Sequence, residues 1–210
     1  MSETWHFTFL RHAESVGNAQ GIRQGQGDLP LTDAGREATR ALARRWREAG
    51  LRFDAVLTSP LRRAAETAEI LAHGLGLPPP QADPLLMERA IGAFTLRPAH
   101  EVRSQEPAFL PLYAPVGGTG ESIWDLYVRA GRAVAALLRR PPGRYLVVAH
   151  GMFLNMLLHA VLGIAPQSNF AGHAFVLPNL GAAVLEYHAA ARRPRWVLLH
   201  LAGPTCLPPS

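Results

Sequence analysis

Short apolar runs alternate with longer amphipathic stretches along most of the chain. The apolar runs predict buried strands over 5–10, 53–58, 81–86, 145–149, 174–177, 182–187 and 196–201. Helical periodicity predicts helices over 33–49, 61–75, 99–105, 121–139 and 151–162. We expect Thr32 to cap the first helix, and Ser59 with Pro60 to begin the second.

Strands and helices alternate up to residue 162, and only strands follow. This order predicts an α/β fold, a three-layer αβα sandwich in which helices cover both faces of a mainly parallel sheet and antiparallel strands are added at one side. A chain of 210 residues fits one domain, which we place over 1–210. The segment at about 87–120 is rich in loops, and we interpret it as a lid-like excursion.

Composition and charge exclude several classes of protein. Hydrophobic residues make up 48% of the chain and charged residues 18%, which excludes disordered, collagenous and coiled-coil proteins. The net charge is +5, but all 21 basic residues are arginine and they occur singly or in pairs, without dense basic runs. We therefore expect no nucleic-acid partner.

Cysteine usage and hydropathy indicate the compartment. The single cysteine, Cys206, stands in a proline-rich tail, so an internal disulfide and a cysteine metal cluster are excluded. Residues 1–10 lack the features of a signal peptide. The apolar stretch at 145–165 is interrupted by His150, Asn155 and His159, which argues against a membrane span. We expect a cytoplasmic protein with no membrane partner.

Two predicted strands end in histidine. Arg11 and His12 follow the first strand directly, and His150 with Gly151 follows the strand at 145–149 and opens a helix. Sheets of this kind bind ligands at the carboxyl ends of their strands, so these residues are the first candidates for a site.

Two more candidates follow strand ends. Arg62 and Arg63 stand about 100° apart on a helix, so one can face a central site while the other faces solvent. Glu88 comes directly after the short strand at 81–86.

These features, in this order, resemble the histidine phosphatase superfamily and its phosphoglycerate-mutase-like fold. The residues that carry the resemblance are Arg11 to Ser15, Asn18, Gln24, Gly25, Asp28, Pro30 to Thr32, Gly35, Ser59, Leu61, Arg63, Ala64, Thr67, Glu88, Gly120 to Ser122, His150 and Gly151. The match spans most of the chain. Each motif alone is a weak signal, whereas all of them in this order are specific to the superfamily.

The resemblance implies a phosphomonoester hydrolase with a small-molecule substrate. His12 would take the phosphoryl group, and Glu88 would protonate the leaving oxygen and then activate water. Arg11, Arg63 and His150 would hold the phosphate. The substrate-binding residues that the resemblance implies are Arg11, Asn18, Gln24, Gly25, Arg63, His150 and Gly151.

Elementary electrostatics supports these roles. Phosphoryl transfer needs positive charge around the equatorial oxygens, which Arg11, Arg63 and a protonated His150 can supply, with N–H groups of the helix that begins at Gly151. We therefore expect neither a metal ion nor another cofactor. The neighbouring guanidinium groups would keep the His12 imidazole neutral and nucleophilic.

The sequence departs from the family pattern after Glu88. Where members commonly have Gly-x-Trp-Glu-Gly, this chain has Gly92-Ala93-Phe94-Thr95-Leu96, which loses the acid and the second glycine. The same stretch supplies aromatic side chains, which predict a pocket for partly apolar phosphomonoesters. These aromatic residues are Phe94, Phe109, Tyr113 and Trp124.

Two alternatives stay open. A cofactor-dependent phosphoglycerate mutase is one, although the stretch from Glu88 to His150 is short for a family mutase. A non-catalytic module that binds phosphate ligands is the other, although all five core residues are present. The apolar C-terminal strands also leave a homodimer open.

Overall fold

The computed structural model describes residues 4–189 and 195–203. Cys206 and the predicted turn at 191–194 lie outside the described residues. The strands are β1 (Thr4–Arg11), β2 (Ile22–Arg23), β3 (Ala55–Thr58), β4 (Gln81–Ala82), β5 (Arg97–Pro98), β6 (Gly143–Ala149), β7 (Ala182–His188) and β8 (Trp196–Ala202). The α-helices are α1 (Val16–Ala19), α2 (Asp33–Glu48), α3 (Arg62–Leu75), α4 (Ala99–Gln105), α5 (Ile123–Leu138) and α6 (Gly151–Leu162).

The main sheet has six strands in the order β4-β3-β6-β1-β7-β8. Strands β4, β3, β6 and β1 are parallel, and β7 and β8 are added antiparallel at one side. This arrangement confirms the expected α/β fold. Arg11 pairs with Ala149, so β1 and β6 end at the same edge of the sheet.

Helices pack on both faces because side chains alternate along the central strands. Phe7 and Phe9 of β1 belong to one apolar core, which α5 and α6 complete. Leu10 belongs to a second core on the opposite face, together with buried residues of α2 and α3. One core lies on each face of the sheet, between the sheet and a layer of helices, which gives the expected three layers.

The start of α3 differs from the prediction. The helix begins at Arg62, and Ser59 accepts a hydrogen bond from the Leu61 N–H at 3.3 Å before the helix starts. The Arg62 N–H instead donates to the carboxylate of Asp28 at 2.7 Å. Ser59 and Pro60 were therefore wrong as the helix start, because a carboxylate distant in sequence satisfies the first turn.

One predicted strand is shorter than expected, and another does not form. The run at 81–86 forms a strand only over Gln81–Ala82, because Asp83 caps a 3₁₀ turn over Pro84–Leu86 and accepts from the Leu85 N–H at 2.9 Å. The run at 174–177 is irregular and pairs with no strand.

The segment at 87–120 combines short elements. The predicted helix at 99–105 is confirmed as α4, and β5 pairs with β2 in a separate two-stranded sheet. Two 3₁₀ turns, Gly92–Phe94 and Val116–Gly118, lie so close that a Cβ at Gly92 would collide with the Gly117 carbonyl. Glycine at 92 therefore has a packing reason, and the role of the segment as a lid stays a prediction. None of the helices in the described ranges has the length and hydropathy needed to cross a bilayer.

Candidate active site

A cavity of about 630 Å³ opens at the edge of the sheet where β1 and β6 end. The His12 N–H donates to the Ala149 carbonyl at 2.9 Å, so the chain after β1 stays beside β6. The structure brings all the residues predicted from the sequence to this region, and all except His150 line the cavity. The predicted residues on the wall are Arg11, His12, Asn18, Gln24, Gly25, Arg63, Glu88 and Gly151.

His12 is held in one tautomer. The residue is 3% exposed, and its Nδ1 lies 2.7 Å from the Ala13 carbonyl oxygen. Because a carbonyl only accepts hydrogen bonds, Nδ1 carries the proton and Nε2 carries the lone pair. Burial, together with the charges of Arg63 and Arg11, lowers the pKa of His12 to about 3. His12 is therefore a neutral imidazole with a nucleophilic nitrogen available.

Arg63 and Arg11 bring positive charge to His12. Arg63 is 1% exposed and donates to the carbonyl groups of Gly25 and Gly27, each at 2.8 Å. Arg11 donates to the Leu177 carbonyl at 2.7 Å. Both Nε atoms are buried without a partner, and neither guanidinium forms an ion pair within the described residues. Such groups suit an oxyanion.

Burial lowers the pKa of Arg11 and of Arg63, whereas the nearby charge of Glu88 raises both. The adjacent Arg62 is exposed. One arginine of the pair therefore faces the site and the other faces solvent, as the helical spacing indicates.

The His150 ring is next to the His12 ring, and their centroids are 5.1 Å apart. It is fully buried, and neither ring nitrogen has a hydrogen-bond partner in the described part of the chain. Burial, followed by the charge of Arg63, lowers the pKa of His150 well below its usual value. This environment favours the neutral ring, which the sequence does not reveal because it shows neither the burial nor the surrounding arginines, and the protonated His150 expected beside a phosphoryl group stays a prediction. A phosphate dianion beside the ring would favour its protonated form.

Glu88 caps α6. One carboxylate oxygen accepts from the Phe153 N–H at 3.0 Å and from the Arg89 N–H at 2.9 Å, and the other accepts from the Met152 N–H at 3.2 Å. These N–H groups of the helix start, which we expected to face phosphate, are thus bonded to Glu88. Gly151 lies against the Arg11 guanidinium, where an added Cβ would make ordinary contacts at 3.5 Å.

Asn18 and Gln24 combine a turn-forming role with a place on the cavity wall. The Asn18 side-chain oxygen accepts from the Ser15 N–H and hydroxyl in a capping box at the start of α1. The Ser15 hydroxyl can instead donate its proton to the Gln24 side-chain oxygen, which lies 3.0 Å away. Gly25 contributes its carbonyl to Arg63, so it positions that guanidinium.

Sequence reasoning missed a clamp on the loop that carries Glu88. Arg129 of α5 donates to the carbonyl oxygens of Leu85, Met87 and Glu88 at 2.7–3.2 Å. It also forms a two-point ion pair with Glu121, at 2.6 and 2.8 Å. Glu121 stands in the noted Gly-Glu-Ser motif, but its partner Arg129 has no local sequence signal.

Sequence reasoning also placed the wrong aromatic residues at the pocket. Phe109 and Tyr113 are 58% and 69% exposed, and Phe94 and Trp124 do not line the cavity either. The phenylalanine rings on the cavity wall are instead Phe170 and Phe175, from the segment at 169–177, which begins in a 3₁₀ turn and is otherwise irregular.

Two polar groups hold this wall in place. The Asn155 side-chain oxygen accepts from the Phe175 N–H at 2.7 Å, and Arg11 donates to the Leu177 carbonyl. A strand pattern therefore predicted a segment whose backbone bonds go to side chains.

The family model described as histidine phosphatase superfamily (branch 1) matches residues 7–199. The chain belongs to this superfamily. A relative from Yersinia enterocolitica, named probable phosphoglycerate mutase GpmB, is 35% identical to this chain over 165 residues. The match covers 76% of this chain and 75% of that protein.

Solved structures of the superfamily share the fold. A mycobacterial glucosyl-3-phosphoglycerate phosphatase in complex with VO3 is 26% identical with a TM-score of 0.76, and the match covers 92% of this chain and 97% of that one. YhfR of Bacillus stearothermophilus is 29% identical with a TM-score of 0.76, over 88% and 92% of the two chains. The relatives thus include proteins named as phosphatases and as mutases.

Proposed function

We propose that the protein is a phosphomonoester hydrolase that works through a phosphohistidine on His12, without a metal ion. The observation that carries the proposal is the tautomer of His12 and the position of two arginines in the same site. Its Nδ1 proton is bonded to the Ala13 carbonyl, its Nε2 lone pair is available, and the spare donors of two arginines belong to the same site. This combination provides a nucleophile and an oxyanion site together.

In the first step, His12 Nε2 attacks phosphorus and the bond to the leaving oxygen breaks. Glu88 acts in this step in its carboxylic acid form and gives its proton to that oxygen, so the alcohol leaves neutral and Glu88 becomes the carboxylate that caps α6. In the second step, the Glu88 carboxylate takes a proton from water, whose oxygen attacks phosphorus. The N–P bond breaks, which releases phosphate and restores the lone pair of His12.

The arginines stabilise the charge that develops during both steps. Arg11 and Arg63 present buried N–H groups with no carboxylate partner, so an oxyanion gains charge-assisted hydrogen bonds there. A ring nitrogen of His150 becomes a further donor once the phosphoryl charge favours protonation. The VO3 complex of the mycobacterial phosphatase is consistent with an oxyanion site in this fold.

A phosphoglycerate mutase is the second candidate, and the name of the Yersinia relative favours it. In a mutase, the phosphohistidine would pass its phosphoryl group to a hydroxyl of phosphoglycerate instead of water. The short stretch between Glu88 and His150 favours the hydrolase.

Phosphate release from p-nitrophenyl phosphate, measured without added metal from about pH 4 to about pH 9, tests the proposal. We expect turnover by the wild type, none by His12→Ala and a reduced rate for Glu88→Gln, by about a hundredfold or more. Exposed Arg103→Met is the control and should retain full activity. Equal turnover by wild type and His12→Ala would refute the proposed nucleophile, whereas phosphoglycerate interconversion without hydrolysis would favour the mutase.

A further inference from the structure

Thr67 is a buried threonine that the proposed phosphoryl-transfer steps do not use, although it stands one turn after Arg63 on α3. Its hydroxyl donates to the Arg63 carbonyl at 2.6 Å. The Ala13 N–H lies 3.1 Å from the same hydroxyl oxygen. Because a hydroxyl has one proton and that proton is bonded to the Arg63 carbonyl, Thr67 accepts the hydrogen bond from Ala13.

The amide that Thr67 holds is the peptide group between His12 and Ala13. The other end of this peptide group is the His12 carbonyl, which accepts from Asn179 Nδ2 at 2.9 Å. The Leu180 N–H lies 3.4 Å from the same oxygen, although its shorter bond, at 3.1 Å, goes to the Arg11 carbonyl. One peptide group is thus bonded to α3 through its N–H and to the loop before β7 through its carbonyl. We call Thr67 and Asn179 the peptide clamp.

The peptide clamp determines where the Ala13 carbonyl points. The orientation of a peptide group sets the two soft backbone dihedrals beside it, here ψ of His12 and φ of Ala13. The next carbonyl along the chain, that of Ala13, is the group that accepts from His12 Nδ1 at 2.7 Å. Rotation of the clamped peptide would separate this carbonyl from the ring and leave the tautomer unconstrained. A proton on Nε2 would remove the lone pair that attacks phosphorus.

We propose that Thr67 and Asn179 are positioning residues that hold His12 in its nucleophilic tautomer through the peptide group that follows it. The proposal rests on the proposed function, in which His12 Nε2 is the nucleophile, and it identifies what keeps that nitrogen unprotonated. Thr67 is the more important member, because Ala13 is fully buried. Without the hydroxyl, the buried Ala13 N–H loses its acceptor, which favours a rotation that gives it a new partner.

Two variants of Thr67 separate its hydrogen bonds from its packing. Valine has nearly the shape of threonine but no acceptor, whereas serine keeps the hydroxyl. Thr39 on α2 provides the matched control, because it is also fully buried and its hydroxyl makes the same bond to a carbonyl one turn earlier, that of Gly35, at 2.7 Å. Thr39→Val therefore removes a buried hydroxyl from a helix without releasing the clamped peptide.

Two-bond proton–nitrogen NMR spectra of protein with isotope-labelled histidines, recorded near neutral pH, report the tautomer of His12. Comparison with His12→Gln assigns its signals among the 9 histidines. Wild type, Thr67→Ser and Thr39→Val should show the proton on Nδ1, whereas Thr67→Val should show a mixture with the form protonated on Nε2. This measurement needs no substrate, so its result does not depend on whether the protein hydrolyses phosphomonoesters.

Steady-state hydrolysis of p-nitrophenyl phosphate connects the tautomer with turnover. Thr67→Val should lower kcat by about tenfold to a hundredfold and change KM by less than about twofold, because the arginines that bind the phosphoryl group remain. Thr67→Ser should restore most of this loss, and Thr39→Val should keep the wild-type kcat. Asn179→Ala should lower kcat by about threefold or more, a smaller effect because the Leu180 N–H still lies near the His12 carbonyl.

An Nδ1 proton that is fully retained in Thr67→Val and Asn179→Ala, or a changed tautomer with unchanged kcat, would overturn the peptide clamp. An equal change of tautomer in Thr39→Val would also overturn it. If Thr67→Val does not fold, the same spectra of Asn179→Ala decide the question. If the wild type does not hydrolyse p-nitrophenyl phosphate, the proposed function fails, whereas the spectra still decide whether the clamp holds the tautomer.

Discussion

Acidification is expected to destabilise this fold through His12 and His150. Both rings are buried beside arginines, and the pKa of each is lowered by burial. In the unfolded chain a histidine takes up a proton near pH 6.5, whereas His12 in the folded protein does so only at about pH 3. The unfolded state therefore binds more protons between these values, and the free energy of unfolding decreases as the pH falls through this window.

The magnitude follows from the proton linkage. At pH 5, a histidine that is protonated only in the unfolded state lowers the free energy of unfolding by about 2 kcal/mol relative to pH 8. His12 should therefore contribute about 2 kcal/mol to the loss, and His150, whose pKa is lowered in the same direction, should add to it. His12→Gln should remove the contribution of about 2 kcal/mol that His12 makes.

Urea unfolding, followed through tryptophan fluorescence to which the buried Trp46 contributes, measures the free energy of unfolding at several pH values between about 8 and about 5. The quantity compared is the change in free energy of unfolding with pH, so a constant offset caused by the substitution cancels. Other titrating groups contribute equally to wild type and variant. Parallel pH dependence of the two proteins would refute the conclusion that His12 is held neutral.

Three further substitutions test parts of the site. Arg129→Met should lower kcat by up to about a hundredfold, because loss of the guanidinium misplaces the loop that carries Glu88. In the Glu88→Gln background, steady-state rates should show little further loss from Arg129→Met. Additive losses would argue against this positioning role. Asn155→Ala should raise KM with a small change in kcat, since the wall segment at 169–177 loses the hydrogen bond to Phe175. An unchanged KM would count against that segment as a substrate contact. Gly35→Ala should lower the free energy of unfolding by about 1–3 kcal/mol, because the added Cβ meets the Glu14 carbonyl, and a thermal melt identical to that of the wild type would disprove this clash.

Local sequence signals predicted much of the fold. The strand β1, the helix α6 and the Thr32 cap of α2 follow from periodicity and capping rules over a few residues. The start of α3 does not, because Asp28 reaches it from a distant loop. A capping rule that considers only neighbouring residues has no access to such a contact.

Part of the cavity wall, the segment at 174–177, could not be predicted from the pattern for a related reason. Its apolar run suggested a strand, but the Phe175 N–H donates to Asn155 and the Leu177 carbonyl accepts from Arg11. Phe170 and Phe175 on this wall were consequently overlooked in favour of exposed aromatic residues of the preceding loop.

The candidate site was predictable where residues follow strand ends. Arg11, His12 and Arg63 meet because parallel strands end at one edge of the sheet. The electrostatic state of the site was not predictable, because the neutral form of His150 depends on complete burial near several arginines. Arg129 was missed as a site residue because only tertiary packing brings it to the loop that carries Glu88.

Trapping of the phosphorylated enzyme tests the central claim most directly. Wild type is mixed with p-nitrophenyl phosphate and quenched in base, where phosphohistidine survives, and the modified residue is located by peptide mass spectrometry. The expected result is one phosphoryl group on His12 that forms and decays at rates compatible with turnover and is absent in His12→Ala. Hydrolysis that proceeds without this adduct, or with the phosphoryl group on another residue, would contradict the proposed mechanism.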